Sequence, residues 1–141
     1  MEQLVEFAGN NILLVMVFLA LLAALVWNIV TDPGGKNAVN PAQATELINH
    51  DDAVVVDVRS MAEFNSGHII NAVNVPLNGF KNQMGQLEKY KGRPVIACCR
   101  SGSRSAMAVR MLRKAGFEKA QNLRGGMLAW ESANLPVKRG K

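Results

Sequence analysis

From Phe7 to Thr31 the chain carries no charged side chain, and Ile12 to Val30 is nearly all Leu, Val, Ala, Ile, Met, Phe and Trp, with Asn28 the one polar exception. As an α-helix this stretch would run roughly 28 Å, close to the thickness of a bilayer's hydrocarbon core. A helix in the core of a soluble domain would show a polar face, and this one has none. A cleaved signal peptide would want a basic leader and a small-x-small cleavage site, whereas the leader holds Glu2 and Glu6 and neither Lys nor Arg. The expectation is an uncleaved anchor over residues 12–30 behind a short leader, residues 1–11. Trp27, near its far end, fits an interfacial position.

Charge divides the remainder. Residues 1–40 sum to −2 and residues 41–141 to +7. Lys36 follows the apolar stretch and no basic residue precedes it, which orients the C-terminal side toward the cytoplasm. A basic domain beside a membrane attracts anionic headgroups and small anions. Nucleic acid is not expected, because no recognised motif or aromatic platform accompanies the charge. The two cysteines, Cys98 and Cys99, are adjacent and have no third thiol to pair with. Neighbouring residues are poorly placed for a structural disulfide, so a reducing compartment and free thiols are expected.

Residues 31–40 are polar and rich in breakers, a linker by composition. Asn40 with Pro41 opens a helix to about Asn49. Ala53–Val58 is an unbroken apolar run that reads as a strand buried on both faces. Ser60 and Glu63 have capping-box spacing and start a short helix. Ala72–Val75 is a further short strand, and a weaker helical stretch covers 81–90. Pro94–Cys98 is another buried strand. After a polar loop, Ser105–Ala115 forms a helix with Ala106, Val109, Met111 and Leu112 inward, stopped by Gly116. Ala120–Leu123 is a strand, and Met127–Ala133 a last helix behind Gly125-Gly126. Strands alternating with helices predict an α/β domain over 41–135 with a mainly parallel central sheet flanked by helices. Residues 136–141 read as a basic tail.

The chemistry concentrates at Cys99-Arg100-Ser101-Gly102-Ser103-Arg104-Ser105, where a buried strand passes into a helix. Open α/β sheets place their sites at such strand ends. A loop of small residues there can curl its N–H groups inward, and the helix start adds unpaired N–H groups and the positive end of its dipole. With Cys99 leading the loop, the anion cradled is its own thiolate. Arg100 and Arg104 are expected to ease deprotonation further, and Gly102 to supply the backbone freedom for the curl. An inert buried thiol is the competing account of Cys99, but it leaves the surrounding arginines, serines and glycine unexplained. Cys98 belongs to the apolar strand and fits core packing better than a resolving role.

These residues, Cys-Arg-Ser-Gly-Ser-Arg-Ser, resemble the active-site loop of rhodanese-like domains. Val54–Arg59, Glu63-Phe64, Gly67-His68-Ile69 and the stretch from Ala72 through Asn74 to Pro76 resemble the family's N-terminal signature. Leu123-Arg124-Gly125-Gly126-Met127 with Trp130 resembles its C-terminal one. The likeness covers about 41–135, and an anchor plus one such domain is similar to membrane-anchored single-domain bacterial members. The resemblance implies a Cys99 persulfide and sulfur transfer from a small sulfur-containing anion to a thiol or thioredoxin-like acceptor, with no cofactor or metal. Arg100, Ser101, Gly102, Ser103, Arg104 and Ser105 then line the substrate site. Cysteine phosphatases of the related fold carry a longer loop between the residues matching Cys99 and Arg104, so a phosphatase or arsenate reductase is a weaker reading.

Asp57 is expected in a structural ion pair or hydrogen bond. Arg59, beside it, could instead steer an anionic donor or orient the loop. Glu63 is expected to cap its own helix and His68 to be structural. Arg124 and Gly125-Gly126 are expected to shape the rim and turn the chain, and Trp130 to lie in the core. Met107, Met111 and Met127 fit packing better than metal binding. The expected setting is the inner (plasma) membrane, with the bilayer contacted through 12–30 and a membrane-protein partner as the further expectation. The rival to an enzyme is a membrane-tethered interaction module on the same fold.

Overall fold

The computed structural model describes residues 1–31 and 37–140. Half of the expected linker, residues 32–36 with Lys36 among them, and the terminal Lys141 lie outside the described residues. The chain separates into two units, one ending at Asp32 and one beginning at Pro33.

The first unit holds α1 (Glu2–Asn10) and α2 (Ile12–Thr31). Within α2, Ile12–Val30 has mean hydropathy 2.8 and no buried residue. It is long and apolar enough to cross a membrane, in the span the sequence predicts. The leader is itself helical, which the sequence reading does not anticipate.

The second unit is built on a five-stranded parallel sheet. In chain order its elements are β1 (Ala38–Val39), α3 (Pro41–His50), β2 (Val54–Asp57), α4 (Met61–Ser66), β3 (His68–Ile69), β4 (Val73–Asn74), α5 (Phe80–Gln83), a 3-10 turn (Met84–Tyr90), β5 (Val95–Cys98), α6 (Ser103–Lys114), β6 (Ala120–Leu123), α7 (Gly126–Ser132) and β7 (Val137–Lys138). The strand order is β1-β6-β5-β2-β4, and β3 pairs antiparallel with β7 in a separate two-stranded sheet. Asp57 stands opposite Cys98, and Ala97 opposite Asn122. Because the strands run parallel, their carboxyl ends share one edge, which gathers Asp57, Cys98 and Asn122 there.

Helices on both faces bury every residue of β2 and β5, and side chains alternate between two cores. Val54, Val56, Val58, Val95, Ala97 and Cys99 face one, with Leu112, Phe117 and Phe80. Val55, Ile96 and Cys98 face the other, with Trp130, Met127 and Leu123. The two-residue period of a strand therefore sends the adjacent cysteines to opposite sides of the sheet.

Both expected caps form. Asn40 Oδ1 accepts from the Gln43 N–H at 2.8 Å while Gln43 Oε1 accepts from the Asn40 N–H at 2.9 Å. Ser60 Oγ accepts from the Glu63 N–H at 3.3 Å, and Glu63 returns the contact to the Ser60 N–H. Such a cap stabilises a helix by about 1 kcal/mol.

Several expectations need correction. The helix after the active loop starts at Ser103, two residues early, and its buried face is Ser105, Ala108, Val109 and Leu112, with Ala106 and Met111 half-buried. The helical stretch over 81–90 is mostly 3-10. Met84, Leu87 and Tyr90 all meet the core, and their spacing of three matches the 3-10 period rather than the α period. Ala38–Val39, read as linker, adds an edge strand to β6. Val137–Lys138, read as tail, pairs with His68–Ile69, and the Gly140 N–H donates to Asn65 O at 2.8 Å.

Candidate active site

Strand β5 delivers Cys99 to the sheet edge, and the chain turns at once into α6. Gly102 makes the turn with φ +103°, and a Cβ there would also press on Gly125 N at 3.4 Å. Only glycine takes that backbone position without strain. The turn brings the Gly102 N–H to 3.0 Å from Cys99 Sγ and the Ser105 hydroxyl to 3.3 Å from it.

The loop's carbonyls are held outward by a second helix start. Cys99 O accepts from the Met127 N–H at 2.8 Å, and Arg100 O from the Leu128 N–H at 3.1 Å. These are first-turn donors of α7 that have no partner inside their own helix. The approach requires Gly126, whose φ is +56°. A Cβ on it would stand 2.6 Å from Arg100 O and closer still to Cys99 O. Gly102 O accepts from Asn122 Nδ2 at 3.0 Å. With the carbonyls engaged outside, the amides converge inside.

Burial pushes the Cys99 thiol up, but the hydrogen bonds from the Ser105 hydroxyl and from the Ser105, Gly102 and Ser101 N–H groups outweigh it, and the net shift is downward from 9.0. The leading causes are donors rather than arginines, which corrects the weight placed on Arg100 and Arg104. Arg100 is exposed. Arg104 reaches across to α4, where its guanidinium makes a two-pronged ion pair with Glu63 at 2.9 and 3.0 Å. Its charge is thus partly offset before any substrate arrives. Ser101 and Ser103 are exposed on the loop, while Ser105 is fully buried. Cys99 itself is buried.

Cys98 differs in every respect. Burial, with Asp57 next, pushes its thiol well above 9.0, and its side chain packs in the opposite core. The geometry gives no support to a resolving role.

Asp57 and Arg59 form the expected ion pair, Arg59 Nη2 to Asp57 Oδ2 at 2.7 Å, with Arg59 also donating to Gly67 O at 2.7 Å. Arg59 is only 6 % exposed. Its guanidinium ties β2 to the end of α4 and is not displayed to a donor, so the structure favours support over substrate contact. Glu63 does cap its helix, and the Arg104 guanidinium holds its carboxyl down at about 2. His68 is buried, bonded through Nδ1 to Phe64 O at 2.8 Å and stacked on the Phe64 ring. Trp130 is buried, and its Nε1–H donates to Pro136 O. Among the described residues no three of His, Cys, Asp and Glu gather as a metal-binding group.

Sequence reasoning missed Asn122. It is buried, and it contacts both Gly102 and Ser105 from the neighbouring strand. The available signal was weak: β6 reads Ala-Gln-Asn-Leu, and only the strand alternation that buries Asn122 while leaving Gln121 half-buried sets it apart. It also missed the amides of Met127 and Leu128, which carry no side-chain signature at all.

A model of the rhodanese-like domain family matches residues 40–133. The chain is 36 % identical to the YibN protein of Escherichia coli (strain K12) over the full length of both. It is also 36 % identical to a protein named sulfurtransferase from Allochromatium vinosum, over 64 % of this chain and 83 % of that one. Among solved structures, a rhodanese-related protein from Thermoplasma volcanium aligns with TM-score 0.66 and 29 % identity, covering 72 % of this chain and 97 % of that one. With the strand order, the cysteine loop and the glycine-led helix behind it already in place, these likenesses make the chain a member of the rhodanese-like domain family.

Proposed function

We propose that the protein is a sulfurtransferase that forms a persulfide on Cys99 and passes the sulfur to a thiol at a membrane surface. The Cys99 thiolate attacks the outer sulfur of thiosulfate or of a persulfide. A new S–S bond forms at Sγ as the donor's S–S bond breaks, and the bonding pair leaves with sulfite or with the donor's thiolate. An acceptor thiolate then attacks the terminal sulfur of the Cys99 persulfide, and the departing electron pair restores the Cys99 thiolate. No general base is needed once Cys99 is ionised. Loop amides face the charge wherever it resides, on Sγ or on the added sulfur.

The observation that carries this reading is the approach of the Gly102 N–H and the Ser105 hydroxyl to Sγ, at 3.0 and 3.3 Å. The family and a relative named sulfurtransferase support the class of reaction. The test is mass spectrometry after thiosulfate treatment, which should find an adduct of about 32 Da on Cys99. An unmodified Cys99, together with full activity in Cys99→Ser, would remove the proposal.

We propose single-pass attachment to the bacterial inner membrane with the domain on the cytoplasmic side; the apolar helix Ile12–Val30 supports the attachment, and the placement of Lys36 after it in the sequence is the argument for the orientation. It also favours a second reading, because sulfur transfer in solution needs no anchor. On that reading the domain docks a membrane partner and catalysis is secondary. Crosslinking from membranes separates the two: equal partner capture by Cys99→Ala, with rescue of a deletion strain, would favour docking.

A further inference from the structure

The Ser105 hydroxyl has one proton and two neighbours that can take it. Ser105 Oγ lies 2.6 Å from Asn122 Oδ1 and 3.3 Å from Cys99 Sγ. The orientation of the Asn122 amide is fixed by its other end, where Nδ2 donates to Gly102 O at 3.0 Å. Turning the amide over would set Oδ1 against that carbonyl, acceptor against acceptor. Oδ1 therefore faces Ser105, and because it can only accept, the short contact needs the Ser105 proton. While that bond stands, Ser105 offers Sγ a lone pair, which suits an S–H thiol. A thiolate, already facing the loop amides, gains a further donor only in the opposite arrangement, with the O–H turned to sulfur and Asn122 Oδ1 left without a donor. All three residues are buried, at 0 % exposure for Cys99 and Ser105 and 7 % for Asn122, so water is a poor substitute for either bond.

We propose that Asn122 is a positioning residue that competes with Cys99 for the Ser105 proton, making the Ser105 hydroxyl a two-position switch set by the charge on Sγ. The inference rests on Cys99 being the nucleophile of the proposed reaction. With the thiolate free, the proton sits on the sulfur side. Once Sγ carries a second sulfur, the charge moves outward, and the proton returns to Asn122. Asn122 thereby favours the loaded enzyme over the free thiolate, while its amide nitrogen keeps the loop curled in both states.

The test is a double-mutant cycle on the pH midpoint of Cys99 alkylation by iodoacetamide, followed by peptide mass spectrometry on the full chain in detergent micelles. Ser105→Ala is made in three backgrounds, and circular dichroism checks each fold. In the Asn122→Leu background the hydroxyl has no rival acceptor, and Ser105→Ala should raise the midpoint by about one pH unit, the scale of one hydrogen bond to a charged group. In the otherwise wild-type protein the rise should be less than half as large. In the Asn122→Asp background, where a carboxylate grips the proton harder, it should be smaller again. Loss of the Gly102 contact affects both arms of each pair and cancels. Equal rises in all backgrounds, within about 0.3 unit, would refute competition. So would a Ser105→Ala rise that vanishes in Asn122→Leu, which would make Asn122 a mere support for Ser105. If Asn122→Leu does not fold, the comparison between Asn122→Asp and wild type still decides. The readout is ionisation rather than turnover, so the competition can fail while sulfur transfer stands, and the reverse.

Discussion

The amide nitrogen of Gly102 lies 3.0 Å from the sulfur of Cys99, and the backbone that puts it there is open only to glycine. Gly102→Ala should cost about 1–2 kcal/mol of stability from the left-handed conformation alone. It should also raise the pH midpoint of Cys99 alkylation by tilting the donor away. Denaturant titration and an iodoacetamide pH profile measure the two effects separately.

Cys99 should react with a midpoint below 9.0, because its donors outweigh the opposing effect of burial. A group whose value is depressed on folding stabilises the fold fully above its unfolded value, and that stability is lost as pH falls through the folded value. Cys98, pushed the other way by burial, should stay unlabelled at neutral pH. Cys98→Ala should keep sulfur transfer and lose about 1 kcal/mol of packing. Peptide mapping after alkylation checks both residues at once.

Gly126→Ala should be worse than Gly102→Ala. The added methyl would press on the carbonyls of Cys99 and Arg100, and backbone cannot rotate aside as a flexible side chain does. Overpacking of this kind costs typically 1–3 kcal/mol. The loop should also open enough to slow sulfur loading at least tenfold, as single-turnover kinetics with thiosulfate would show.

Glu63 holds Arg104 from the opposite helix. Glu63→Gln should release that guanidinium toward an incoming anion and lower KM for thiosulfate several-fold with little change in kcat. The carboxyl, held at about 2 against an ordinary 4.5, adds stability that is complete above about 4.5 and fades as pH falls toward 2. The pair is more than a third exposed on the arginine side, so the effect on melting temperature should be small and should shrink further with salt.

Asp57→Asn should be among the most damaging substitutions outside the loop. It leaves the Arg59 charge buried without its partner, a change that costs on the order of 3–5 kcal/mol. Replacing both residues, as Asp57→Asn with Arg59→Met, should recover part of that loss in thermal denaturation. Recovery of sulfur transfer with it would confirm that Arg59 acts as support.

Where residue type and spacing determine structure locally, the sequence was informative. The helix cap at Asn40, the capping box at Ser60 and the buried runs of β2 and β5 follow from side chains near one another in the chain, as does the loop at Cys99. What escaped was set by distant backbone. Ala38–Val39 and Val137–Lys138 are too short to show a period, and they become strands only because an edge is available to each. The carbonyl clamps from Met127 and Leu128 involve main-chain groups that every residue has. Asn122 stood in plain sight within β6, but its partners lie 17 and 20 positions away, and only the register of neighbouring strands brings them together.

The alternation that parts Cys98 from Cys99 bears on the fate of a captured sulfur atom. The chain's two thiols lie on opposite sides of one sheet, so neither can relieve the other by closing a disulfide. On the proposed function, a sulfur atom taken up at residue 99 would find no second thiol within reach on its own side of the sheet, and would wait for a visiting molecule to collect it. On that proposal the protein would serve as a one-place reservoir, emptied at the pace of encounter rather than by its own chemistry.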